Sequence, residues 1–105
     1  MKTTMQLAGD PFEIEMELDD VRKWVKALES GEYRQDTDAL VNPDGNAFCC
    51  LGVRQHVNGK PMMYAFVGLS FDVRGEFENA NDKARWTFPQ IAQALRDGFG
   101  IEGEV

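Results

Sequence analysis

Apolar and acidic residues alternate from Phe12 through Glu13, Ile14, Glu15, Met16 and Glu17 to Leu18. A period of two predicts a half-buried strand, with the glutamates on its wet face. The period then lengthens. Val21, Trp24, Val25 and Leu28 fall at i, i+3, i+4 and i+7, one face of an α-helix over 19–30. Asp19 or Asp20 can cap its start and Gly31 can end it. Ala39-Leu40-Val41 reads as a short strand before the turn Asn42-Pro43-Asp44-Gly45-Asn46. From near Ala47 to before Asn58-Gly59 a helix is expected, with Phe48, Leu51 and Gln55 on one face. Gly52 inside it costs about 1 kcal/mol of helix propensity. Residues 62–73 are rich in aromatic and β-branched side chains and predict one or two strands, broken near Gly68; 79–82 reads as a loop. Thr87-Phe88-Pro89-Gln90 spells a capping box with proline in the first turn, and predicts a helix over 88–97 ended by Gly98.

The order β, α, β, α, β(β), α describes an α+β fold. It is a single compact domain, a small, mainly antiparallel sheet with about three helices on one side. The domain is expected over 11–99, with a loose lead-in at 1–10 and a frayed tail at 100–105. A chain of 105 residues, 43% hydrophobic and 10% aromatic, has material for one core and too little for two. No apolar run reaches the roughly 18 residues of a membrane span, and Met1 to Met5 lack a signal-peptide core. A soluble cytoplasmic protein is the expectation.

Charge sharpens this picture. The net charge is -7, and residues 1–50, with eleven acids and five bases, carry -6 of it. Such a surface repels phosphate backbones, so general nucleic-acid binding is not expected. Glu13, Glu15 and Glu17, with Asp19, Asp20, Asp36 and Asp38, could instead meet a basic partner or act only as solvated surface.

Candidate chemistry is sparse. Cys49 and Cys50 are adjacent, a spacing that suits free thiols better than a disulfide. A catalytic thiol needs a base, and His56 is the one histidine, two helical turns from Cys49. The metal ligands of a zinc site are missing, as are the G-x-S-x-G, Walker, G-x-G-x-x-G and H-E-x-x-H patterns, so no metal and no cofactor are expected. Catalysis is less favoured than binding, with a thiol enzyme kept open. The mixed polar and aromatic residues at two helix ends are more informative: Tyr33, Arg34 and Gln35, then Asn81, Arg85 and Trp86. A flat wall, a guanidinium and amides are what a small nucleotide requires. The alternative is that Tyr33 and Trp86 are core-edge residues with satisfied polar tips.

Trp24, Ala27-Leu28, Ser30-Gly31, Tyr33, Gln35, Leu40 and the run Phe48-Cys49-Cys50-Leu51-Gly52-Val53 form the pattern W-x-x-A-L-x-S-G-x-Y-x-Q, then L, then F-C-C-L-G-V. This resembles a group of small proteins of tailed phages and prophages. Asn81-Asp82 and the Thr87 to Ala92 segment match later parts of that pattern; 60–78 do not. The resemblance implies a phage accessory protein in the host bacterial cytoplasm that counters host defence. The expectation is sequestration of a small signalling nucleotide without catalysis, as a monomer or homo-oligomer. The alternative is an acidic inhibitor docking on a host protein, in the manner of a nucleic-acid mimic.

Overall fold

The computed structural model describes residues 1–105. Lys2–Met5 (β1) pairs antiparallel with Phe12–Glu15 (β2), Thr3 opposite Ile14. The expected loose lead-in is therefore a strand. The Met1 ammonium donates to the Met16 carbonyl at 2.8 Å, Thr3 Oγ1 donates to the Gly98 carbonyl, and Met5 and Leu7 enter the core. The alternation from Phe12 holds: Ile14 and Met16 are buried and Glu13, Glu15 and Glu17 exposed.

Leu18–Glu29 (α1) buries Val21, Trp24, Val25, Ala27 and Leu28. Its N-cap is Glu17, without a capping side chain; Asp19 and Asp20 lie in the first turn, where their charge meets the helix dipole. Gly31 follows the helix at φ +75°, a left-handed conformation natural for glycine.

A second two-stranded ladder is parallel: Arg34–Gln35 (β3) against Ala47–Phe48 (β4). The expected strand at 39–41 reduces to one bridge, Val41 to Phe48. Asn42 shapes the turn. Its side-chain oxygen accepts from the backbone N–H groups of Asn46 and Ala47.

Cys50–Val57 (α2) starts three residues later than expected, because Ala47 and Phe48 are used in the ladder and Cys49 is the N-cap. Phe71–Glu78 (α3) replaces the strands expected over 62–73, which otherwise hold only a 3₁₀ turn at Tyr64–Phe66. Ser70 accepts from the Val73 N–H as N-cap, Asp72 sits in the first turn, and Val73 and Phe77 are buried at i and i+4. The expected loop at 79–82 is a π-helical turn, Asn79–Lys83, continuing α3.

Phe88–Phe99 (α4) opens on the predicted capping box: Thr87 N–H donates to Gln90 Oε1 and Gln90 N–H to Thr87 Oγ1. It runs past Gly98, whose bare Cα faces Met5, and ends at Gly100 in the left-handed region. The tail is tied down: Ile101 is buried, and Arg96 donates to the Gly103 carbonyl and grips Glu29 of α1 with two bonds of 2.6 and 2.8 Å.

The result is an α+β globule of four helices, one more than expected, with two small ladders. One core runs through all of it, from Met5 and Ile14 to Phe99 and Ile101. No helix is long and apolar enough to cross a membrane.

Candidate functional site

The residues of the W-x-x-A-L-x-S-G-x-Y-x-Q and F-C-C-L-G-V pattern are stitches of the fold. The Trp24 indole is fully buried, lies 4.9 Å from the Phe77 ring and donates to the Cys50 carbonyl at 2.9 Å, joining α1 to α2. Tyr33 packs edge-on against Phe48 and His56. Leu51 and Val53 have no exposed surface.

Both thiols are structural. Cys49 Sγ accepts from the Gly52 N–H at 3.4 Å, capping α2, and Cys50 Sγ donates to the Phe77 carbonyl at 3.7 Å. Burial pushes the Cys49 pKa up to about 11, partly opposed by that Gly52 N–H. Burial raises the Cys50 thiol too, helped by the neighbouring Cys49 and Asp82. A thiol held protonated is a poor nucleophile. His56 is on the surface beside Tyr33 and Phe48, with no thiol partner.

Raised thiol pKa values imply a direction for stability against pH. The folded state holds these protons more tightly than the unfolded chain. The contribution is complete below the ordinary thiol value of 9.0 and is lost as pH rises toward about 11. Cys49→Ser keeps an acceptor for Gly52 and removes one of the two groups. In reducing buffer, the wild-type melting temperature is expected to drop more steeply than that of the variant between about pH 9 and 11. Parallel profiles would contradict the assignment.

The polar set behaves differently. Gln35, at the end of β3, donates to Asn81 Oδ1 and to the Trp86 carbonyl, both at 2.8 Å, and accepts from the Phe88 N–H at 3.1 Å. Asn81, 1% exposed, accepts from the Cys50 N–H and donates to the Asp36 carbonyl and to Asp82 Oδ1. The two amides form a knot linking β3, the start of α2, the π turn and the start of α4. Their hydrogen-bonding capacity is consumed within the fold.

On the solvent side of this knot lies a cavity of about 260 Å³. Gln35, Asp36, Thr37, Asn81, Arg85 and Trp86 line it. Four of the six candidates from the sequence meet there, across a separation of some fifty residues. Tyr33 and Arg34 do not line it; Tyr33 faces His56, and Arg34 is exposed on β3. Asp36 and Thr37 complete the lining; the sequence reading named Asp36 only as part of the acidic surface and did not single out Thr37, whose signal was proximity to Gln35. The groups left to meet a ligand are the Trp86 ring, the Arg85 guanidinium, the Thr37 hydroxyl and the Asp36 carboxylate. Arg85 forms no ion pair. It stands at φ +55° and Asp38, next to the lining residue Thr37, at φ +69°, the two non-glycine residues in the left-handed region. Such a conformation costs about 1 kcal/mol or more and persists where the surroundings enforce it. Trp86 also walls an open groove of about 510 Å³ between β1 and α4, lined by Thr4, Gln6, Gln90 and Gln93 among others.

Residues 16–65 match the model of a family described as a domain of unknown function, DUF8296. The matched stretch holds α1, the β3–β4 ladder and α2, and so one wall of the cavity; Asn81, Arg85 and Trp86 lie beyond it. No curated protein and no solved structure matches the chain.

Proposed function

We propose that this chain is a non-catalytic binding protein that captures a small nucleotide in the cavity between β3 and the start of α4. The observation that carries the reading is the convergence of Gln35, Asp36, Thr37, Asn81, Arg85 and Trp86 on one concave site. A base stacks on Trp86, its amino group donates to Asp36, and a phosphate meets Arg85. The volume suits one nucleobase or a mononucleotide, and a larger ligand extends past Trp86 into the adjoining groove. Capture without turnover agrees with two thiols buried in structural roles. The setting follows from the resemblance: a phage accessory protein acting in the host bacterial cytoplasm, removing a signal used in host defence.

The test is thermal shift and calorimetry against cyclic mono- and dinucleotides, ADP-ribose derivatives and common nucleotides. A ligand at 100 times its Kd adds about 2.7 kcal/mol of stability, a rise of about 10–20 °C for a domain of this size. Arg85→Ala and Trp86→Ala are expected to remove that rise, and Arg34→Ala to preserve it. Binding that survives both cavity substitutions would refute the site.

An alternative role, docking on a host protein, is favoured by the acidic face of β2. Glu13, Glu15 and Glu17 are all exposed in one row, with Asp19, Asp36 and Asp38 also at the surface. Complex formation through that row would weaken steeply with salt and with charge reversal of the three glutamates.

A further inference from the structure

Large apolar side chains are exposed at six positions, and four of them, Met63, Tyr64, Phe66 and Phe71, belong to one short stretch that runs from the end of α2 into the first turn of α3. This segment is firmly held. Gln55 is fully buried and its amide donates to the Pro61 and Phe66 carbonyls, both at 3.1 Å. Val67 is fully buried beneath the turn. The Arg74 guanidinium donates to the Tyr64 carbonyl at 3.0 Å and lies over both the Tyr64 and Phe71 rings, at 5.8 and 5.6 Å. Ser70 caps α3 and so sets Phe71 on its first turn, where 79% of the residue is in solvent. Buried polar groups and an arginine thus hold four apolar side chains outward. Ordering such side chains in advance lowers the entropic cost of association. Aromatic residues, methionine and arginine are also the types enriched at interface centres.

We propose that this face is the interface of a two-fold homodimer, with the Met63, Tyr64, Phe66, Phe71 and Arg74 cluster of one copy packed on the same cluster of the other. Two observations favour a second copy as occupant. The first is area. At about 200 Å² per large side chain, the exposed part of the four residues comes to about 450 Å². That is about the apolar share of the roughly 800 Å² that each partner contributes to a standard interface. The second is charge. A two-fold interface must be complementary to itself, so its border needs both signs. Lys60 and Arg74 supply cations within the segment. Glu15 of β2, beside a Glu13 already paired with Lys2 at 3.3 Å, shares a groove with Gly68, Leu69, Ser70 and Val73 and supplies the anion. Residues 55–75 carry Lys60, Asp72 and Arg74 alone as formal charges, a net +1 on a chain of -7. The cluster itself is thus nearly neutral, and the anion at its border comes from β2.

The experiment is sedimentation equilibrium on the full chain from about 1 to 200 µM, with Phe71→Asp and Met63→Asp measured beside it. The expected wild-type mass is twice the 11.8 kDa of one chain, dissociating on dilution. Each substitution is expected to weaken the dimer at least 30-fold, with an unchanged circular dichroism spectrum. Phe71→Ser, which introduces no charge, gives the same test should an aspartate disturb the fold. A wild-type chain that stays monomeric at 200 µM overturns the proposal, including one whose patch instead captures a different protein. A dimer that all three variants leave intact overturns it as well.

Discussion

Gly52→Ala is expected to lower the melting temperature by about 15 °C or more, against the direction that helix propensity alone predicts. Gly52 lies inside α2, where alanine is favoured over glycine by about 1 kcal/mol. Space reverses the sign. A Cβ at this position would stand 1.7 Å from the Leu40 carbonyl oxygen and 2.7 Å from its carbon, both backbone atoms. Leu40 cannot simply retreat, because it is buried and its carbonyl accepts from the Cys49 N–H at the entrance of α2. Overpacking of an interior costs about 1–3 kcal/mol when side chains can yield, and more when backbone must. At roughly 4–8 °C per kcal/mol, about 3 kcal/mol gives the stated drop. Gly75→Ala in α3 is the control. Nothing lies within 4 Å of an added Cβ there, so the same exchange should raise stability by about 1 kcal/mol. Thermal and urea melts of the two variants decide the matter. A Gly52→Ala protein as stable as wild type would show that α2 and the 39–41 segment are not in close approach.

Periodicity was enough for elements that bury one face. The β2 alternation and the α1 and α4 faces were all legible, and so was the Thr87 capping box, because short-range rules decide them. The misreadings have separate causes. At 62–73, Tyr64, Phe66 and Phe71 looked like strand residues because aromatic side chains usually serve a sheet; here they face water. The counter-signal was present in Ser70-Phe71-Asp72, a cap followed by an acid, with Val73 and Phe77 one helical turn apart. At the N-terminus, Met1 and Thr3 are tied to Met16 and Gly98, partners fifteen and ninety-five residues away, which no local pattern encodes. Gly98 read as a stop for the same reason: its role is to admit Met5. In the candidate site, residue types were legible and their division of labour was not. Gln35 and Asn81 looked like ligand contacts by chemistry, yet their partners are backbone groups brought near only by the fold.

That division of labour yields the other large effect. Asn81→Leu is expected to destabilise the protein by about 3–5 kcal/mol, a drop of about 15–25 °C. Leucine keeps the branching at Cγ, is somewhat larger, and removes every bond that Asn81 makes. The Cys50 N–H at the start of α2 and the Gln35 amide lose an acceptor, and the Asp36 carbonyl loses its donor. A buried polar group left without a partner costs about 1–3 kcal/mol, and the site is too closed for water to replace all of them, since Asn81 is 1% exposed. Gln35→Leu breaks part of the same network, including the bond to the Phe88 N–H. The two substitutions are therefore expected to be non-additive by at least about 1 kcal/mol in a double-mutant cycle. The outcome separates two roles for Asn81. If it is a structural tie, urea denaturation shows the full loss without any ligand, and adding Gln35→Leu to Asn81→Leu costs less than Gln35→Leu costs by itself. If it serves mainly as a ligand contact, the apo protein keeps its stability while the nucleotide-induced shift disappears. Additive losses from Gln35 and Asn81 would mean that the amides act separately and that the wall between β3 and α4 has no shared knot.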